Sequence, residues 1–334
     1  MCGAPRGVLY SGSMSRFFLG ALLLSLPLAA QVKITPSSDR IAVEINGQPF
    51  TTLFFGADAN KPYLYPLRSA SGKVVTRDFP MQLVEGERRD HPHHRGLWFA
   101  HSDVNGIDFW ANENSQKGPK TGRIAFREIF TWAGDKKSGF IILYFDWLDP
   151  AGKPILKETR FMIFWAEPNQ RSIDFDITLA PAAGPVTFGD NKDGLFAIRV
   201  APSLEELAEG APAVPRRTGH IVNAAGARGE PEVWGKRSPW ADYYGEVDGE
   251  KLGIAILDHP DNPRHPTYWH ARGYGLFAAN PFGARDFERD KTKDGSLTLL
   301  PGQTLRFRYR VIIHSGDAAS AGIQAQFEKY AKTQ

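Results

Sequence analysis

Arg171-Ser172-Ile173-Asp174-Phe175-Asp176-Ile177-Thr178-Leu179-Ala180 is the stretch on which the fold turns. Ile173, Phe175, Ile177 and Leu179 are apolar, and Ser172, Asp174, Asp176 and Thr178 alternate with them. A period of two puts one set against a core and the other in water, which is a half-buried strand. Residues 123–132, 139–149 and 155–165 read as long strands before it. Gly134-Asp135, Asp149-Pro150-Ala151-Gly152 and Glu167-Pro168-Asn169 separate the four as turns. Long strands on short turns predict an antiparallel meander.

Working outward, Ile41-Ala42-Val43-Glu44-Ile45-Asn46, a Gly47-Gln48 turn and 49–55 predict a hairpin. Further strands are expected over 61–67, 73–77, 97–101, 194–201, 240–247, 252–257, 297–300 and 305–314. A short helical turn is expected at 204–207, and long loops at 208–237 and 258–280. One helix is expected, over 318–332, capped by Asp317 with Ile323, Phe327 and Tyr330 on one stripe. There is no βαβ alternation and no glycine-rich phosphate loop. The predicted fold is all-β, a large antiparallel β-sandwich with a C-terminal helix, forming one domain over 31–334.

Residues 1–30 carry no acidic side chain, and an apolar run from Phe17 follows Arg16 and ends in Leu28-Ala29-Ala30. This predicts a signal peptide cleaved after Ala30, with Met14 the more natural start, and hence a periplasmic or secreted protein without a membrane anchor. Cys2, the one cysteine, lies in that leader, so the expected mature chain has no disulfide, thiolate nucleophile or cysteine ligand. Loss of Arg6 and Arg16 takes the net charge from +3 to +1. The basic residues form no stripe, so nucleic acid is not an expected partner.

Asp90-His91-Pro92-His93-His94-Arg95-Gly96-Leu97-Trp98-Phe99-Ala100-His101-Ser102-Asp103 holds four of the nine histidines. As one straight strand it would set His93 and His101 roughly 26 Å apart, so a compact site needs a bend, for which Pro92 and Gly96 are suited. His91 and His93 form an H-x-H pair able to take a divalent metal if a third ligand arrives. Otherwise they cap turns and pair with Asp90. His94 and Trp98 share the opposite side. Arg95 is either an oxyanion holder or half of a surface ion pair, and Trp98 either a platform or core. Tyr268, Trp269, His270 and Arg272 lie in the later loop. Asp193, Glu232, Lys236, Trp240 and Asn280 are further polar and aromatic candidates. Asp90-His91-Pro92 is echoed by Asp258-His259-Pro260, too short an echo to establish duplication.

The combination of 90–98, Trp240-Ala241-Asp242-Tyr243-Tyr244-Gly245 and 269–283 resembles the secreted bacterial family labelled "PmoA family". The label implies a methane monooxygenase subunit, which would need several membrane-spanning apolar segments that the mature chain lacks. The all-β pattern is instead similar to the galactose-mutarotase-like supersandwich, which implies a fold shared with sugar epimerases, lyases and accessory domains of glycoside hydrolases.

The resulting expectation is a carbohydrate-active protein, working by hydrolysis, β-elimination or epimerisation. His94, His101 and His270 would be the acid–base groups, and Arg95 and Arg272 the oxyanion holders. Trp98, Trp240 and Trp269 would stack on sugar, with Asp193, Glu232, Lys236, Tyr268 and Asn280 as further binding residues. The alternatives are a non-catalytic carbohydrate-binding protein and a metal-dependent hydrolase with His91 and His93 as ligands. No cofactor is required by the pattern, a divalent metal being the one it would accommodate.

Overall fold

The structure, a computed structural model, describes residues 1–4, 31–206 and 217–334. Most of the expected leader, and residues 207–216 of the first expected loop, lie outside them. The strands are β1 (Val32–Pro36), β2 (Arg40–Ile45), β3 (Gln48–Phe54), β4 (Tyr63–Leu64), β5 (Leu97–His101), β6 (Arg123–Gly134), β7 (Ser138–Leu148), β8 (Pro154–Ala166) and β9 (Arg171–Pro181). They continue as β10 (Val186–Phe188), β11 (Gly194–Arg199), β12 (His220–Asn223), β13 (Trp240–Val247), β14 (Glu250–Asp258), β15 (Tyr268–Ala271), β16 (Leu276–Asn280), β17 (Leu297–Leu299) and β18 (Leu305–Ser315). Helices α1 (Gly229–Val233), α2 (Ala284–Phe287) and α3 (Ile323–Tyr330) are short.

Two eight-stranded sheets result, ordered β1-β2-β3-β4-β5-β11-β16-β15 and β12-β13-β14-β18-β9-β8-β7-β6. Every strand pair in them is antiparallel, and β10 and β17 pair separately. The meander supplies half of the second sheet. On β9 the apolar set Ile173, Phe175, Ile177 and Leu179 is buried. Asp174, on its other face, sits directly opposite Arg310 of β18, and Asp176 lies diagonal to Arg306, with an ion pair of 2.5 Å in each case. Opposite charges facing across a strand pair support the register that hydrophobic burial selects.

Aromatic rings join the sheets. Phe175 meets Phe196 at 4.9 Å, Phe196 stacks on Tyr309 at 4.5 Å, and Phe99 lies against Phe307 and Trp147. Burying each such ring stabilises the sandwich by about 1.5–3 kcal/mol. The helix α3 covers part of the second sheet's outer face, where Ile323 and Tyr330 pack with Trp240, Leu257 and Ile312.

Several local expectations need correction. Residues 73–77 make only isolated bridges at Val74 and Thr76, the strand expected over 61–67 contracts to β4, and the helical turn expected at 204–207 falls at Pro202–Leu204. The segment 258–280 is not all loop, because β15 and β16 form a hairpin in it; His270 and Arg272 on one face disguise the alternation. Likewise β12 and α1 fall within 208–237. Asp317 caps a turn through Ser320 N–H at 2.8 Å rather than α3, which begins after Gly322, whose φ is +64°.

Candidate functional site

Strand register builds the floor. In the first sheet Trp98 of β5, Ala197 of β11, Ala278 of β16 and His270 of β15 lie in one cross-strand row. The flanking rows, containing Phe99 and Phe196, point into the core, so this row points outward. The two central members are alanines, fully buried like Trp98. Above this sheet a cavity of about 360 Å³ is lined by His270 and Leu276 from the hairpin, by Trp110 and Ala111, and by the loops after β4 and before β11.

The histidine loop forms one wall, and two fully buried arginines hold it. Arg77 donates to Asp90 Oδ1 at 2.8 Å and to the carbonyls of Asp90 and His91 at 2.9 Å. Arg199 donates to Asp90 Oδ1 and His94 Nδ1, each at 3.2 Å. Burial works to raise the Asp90 pKa, but the His91 hydrogen bond and the Arg199 and Arg77 charges outweigh it and hold the carboxyl well below the usual range. The bend comes at His91 and Gly96, with φ of +46° and +51°. A Cβ on Gly96 would lie 2.0 Å from the Leu64 carbonyl oxygen, so only glycine fits. Tyr274, His91, His94 and Trp98 then stack in one column, with successive centroids 5.2, 4.8 and 5.1 Å apart.

The facing wall is His270, Arg272 and the turn Lys192-Asp193. Asn280 fixes that turn, donating to the carbonyls of Asn191 at 3.0 Å and Lys192 at 2.9 Å. The segments around 90–98 and 268–276, far apart in sequence, therefore line one cavity.

The hydrogen bonds set the tautomers. His270 Nδ1–H donates to the Lys192 carbonyl at 2.9 Å, and His93 Nδ1–H to Gln116 Oε1 at 3.0 Å, so each keeps its lone pair on Nε2. Arginine can only donate, so His94 accepts at Nδ1 and carries its proton on Nε2. All three are neutral near pH 7. Burial pushes the His270 pKa down to about 4, with Asp193 partly opposing, and His93 to about 3. Burial first, then His93 and Arg199, pushes His94 well below its ordinary value.

Of the expected residues, His91, His93, His94, Asp193, His270 and Arg272 line the cavity. Arg272 also pairs with Glu230 at 2.9 Å. The others lie elsewhere. His101 is fully buried between Phe188 and Phe282 and donates through Nε2 to the Gly189 carbonyl. Arg95 is held by both oxygens of Glu113, at 2.9 and 2.5 Å. Trp98 is floor, sealed beneath His94 and Trp110, and Trp269 points into the core. Trp240 sits on the other sheet under α3, bonded to Gln324. Glu232 accepts from Arg228 N–H at the start of α1. Tyr268 and Lys236 line a neighbouring cavity. The echo at 258–260 is local: Asp258 binds Asn262, His265 and Thr267. Sequence reasoning missed Trp110, Lys192 and Arg199; a charged residue inside the apolar strand 194–201 was the available signal for the last.

The His91 and His93 rings lie 5.7 Å apart at 73°. Among the described residues no group of three or more His, Cys, Asp or Glu side chains is arranged to hold a metal ion, and no helix among them is long and apolar enough to cross a membrane.

Comparison with solved structures places the strand arrangement near several sugar-related proteins at very low identity. A GH36 α-galactosidase from Geobacillus stearothermophilus is similar at 8% identity and a TM-score of 0.40, with 86% of this chain covering 41% of that one. An α-galactosidase from Lactobacillus brevis is similar at 8% and 0.42, with 85% covering 39%, so this chain spans about two fifths of these enzymes. A galactose mutarotase-like protein from Clostridium acetobutylicum is similar at 10% and 0.39, with 85% covering 98%. Likeness at this level concerns the fold and assigns no chemistry. No curated protein matches the chain in sequence. A family model does match residues 40–328, and the chain belongs to that family, the family of unknown function DUF6807.

Proposed function

We propose that the cavity binds a sugar or sugar derivative and that His270 moves a proton on it, in an exported protein whose leader is residues 1–30. The observation that carries this is the pairing, in one open cavity, of a neutral imidazole lone pair at His270 Nε2 with Arg272 and Lys192 beside it. His270 would take a proton from a carbon next to a carbonyl or from a hydroxyl. Arg272 and Lys192 would hold the oxygen anion that develops, and Asp193 would steady the imidazolium. His94 Nε2–H, opposite, would donate a hydrogen bond as a neutral imidazole.

Among the described residues Asp193 is the one carboxylate lining the cavity, whereas most glycoside hydrolysis uses two. That favours epimerisation or β-elimination over hydrolysis. The motif resemblance to the PmoA family adds no activity to this reading.

The test is a panel of sugars and uronates incubated with the protein in D2O and followed by NMR. Deuterium at a carbon, or an unsaturated or epimerised product, is expected, falling by about 10²-fold or more in His270→Gln. Binding by calorimetry without exchange or product would establish a non-catalytic binder instead. Wild-type rates in both His270→Gln and His94→Gln would remove the assignment.

A further inference from the structure

A second cavity, of about 520 Å³, adjoins the first and is lined by Trp234, Lys236, Arg237, Tyr268, Phe287 and Arg289, with Glu288 at its edge. The two share a strand. Tyr268 and His270 are alternate residues of β15 and face the same way, about 7 Å apart along the backbone, so one opens into each cavity. Trp234 is the partition. Its ring meets His270 edge-on at 6.2 Å and Phe287 at 5.5 Å. The guanidinium of Arg272, from the first cavity, lies 5.9 Å from the Trp234 centroid, and that of Arg289, from the second, 5.7 Å.

Cations outnumber acids in the second cavity. Among the described residues Lys236, Arg237 and Arg289 make no ion pair within 4 Å, although the Glu288 pKa, lowered first by its Tyr268 hydrogen bond, is lowered also by the Arg237 charge. Arg237 spends two donors on the carbonyls of Pro266 and Arg264 and lies over the Tyr268 ring at 5.0 Å. The one acid, Glu288, is taken by the Tyr268 hydroxyl and by Lys293 at 3.4 Å. Scattered surface cations are ordinarily just solvated. Three that converge on one aromatic-lined hollow form a focused positive field; in the neighbouring cavity Arg272 and Lys192 are paired with Glu230 and Asp193, at 2.9 and 3.5 Å.

We infer that the ligand is an acidic oligosaccharide, carboxylated or sulfated, that crosses Trp234 from one cavity to the other and places an anionic group among Lys236, Arg237 and Arg289. This rests on the carbohydrate reading above and names its substrate class. At the crossing the two guanidiniums that lie over Trp234 face the chain's anions.

The experiment is calorimetry of the full chain against matched pairs: uronate-bearing oligosaccharides with their methyl esters, and sulfated ones with their desulfated forms. Wild type and the double variant Lys236→Ala/Arg289→Ala are compared at low and physiological salt. The acidic member of a pair is expected to bind at least about tenfold tighter, to weaken as salt rises, and to lose about tenfold in the double variant while its neutral partner is unchanged. Whether uronate or sulfate responds identifies the anion. Neutral members binding as well as acidic ones, or acidic binding that ignores both salt and the double variant, would overturn this inference and leave the carbohydrate reading standing. Failure of every oligosaccharide to bind would overturn both.

Discussion

Acid should unfold this protein steeply, and the slope can be worked from four buried histidines. His93, His94, His101 and His270 have folded pKa values below the ordinary 6.5, burial being the largest cause for each; those of His101 and His270 fall to about 4 and that of His93 to about 3. In the unfolded chain each takes a proton near pH 6.5. Below that pH the unfolded state therefore binds more protons, and stability is lost as pH falls from about 6.5 toward the folded values. Each histidine contributes up to about 1.4 kcal/mol per pH unit, and the four together about 5 kcal/mol per unit near pH 5.5. Whole-protein stability is typically about 5–15 kcal/mol, so unfolding is expected near pH 5. The carboxyls of Asp108, Glu205 and Glu206, raised chiefly by burial, take protons in the folded state before the unfolded one and oppose the trend. His259, lowered chiefly by burial, adds to the trend, and His314, where burial is outweighed by the Asp242 charge and hydrogen bond, opposes it close to pH 6.5; the slope is read between about pH 6.5 and 5.5. Urea titrations stepped across it, followed by tryptophan fluorescence, measure the slope. His101→Phe should reduce that slope by about one proton, whatever it does to stability at pH 7. A free energy flat to within about 1 kcal/mol across the window, or an unaltered slope in His101→Phe, would refute the reasoning.

Arg199→Met should cost about 3–5 kcal/mol in urea, because it strips a buried charge from Asp90 and Glu205; the same variant frees His94 Nδ1, so NMR should find that imidazole titrating higher. Gly96→Ala should cost about 2–4 kcal/mol, from a left-handed φ and a Cβ driven into the Leu64 carbonyl. Trp240→Phe should lose about 1–2 kcal/mol with its Gln324 hydrogen bond, yet leave affinity for any ligand of the first cavity unchanged, since it lies on the other sheet.

The alternation in 171–180 and its neighbours made the sandwich legible, because a half-wet strand writes its geometry into every second residue. Strands buried on both faces do not. In β5 and β11 every residue is buried, so neither the outward row of Trp98 and Ala197 nor the role of Arg199 could be told from core. Density of histidine pointed to the correct loop but not to the correct members. His94 and His101 are alike in sequence terms; the bend at Gly96 and the Arg199 hydrogen bond turn the first toward the cavity, and strand parity on β5 sends the second behind Phe282. The tryptophans misled for a related reason: indoles fill large interior volumes as readily as they cover ligands, and Trp98 and Trp269 do the former. Pairing of Arg95 with Glu113 depended on a contact between residues 18 apart, which no local pattern encodes.

The lining of the first cavity has a consequence for altering the protein deliberately. Ala111 borders it with a single methyl group that carries no charge and makes no hydrogen bond. Enlarging it to valine or leucine would narrow the hollow while every imidazole and guanidinium kept its place, so ligand size could be graded separately from reactivity.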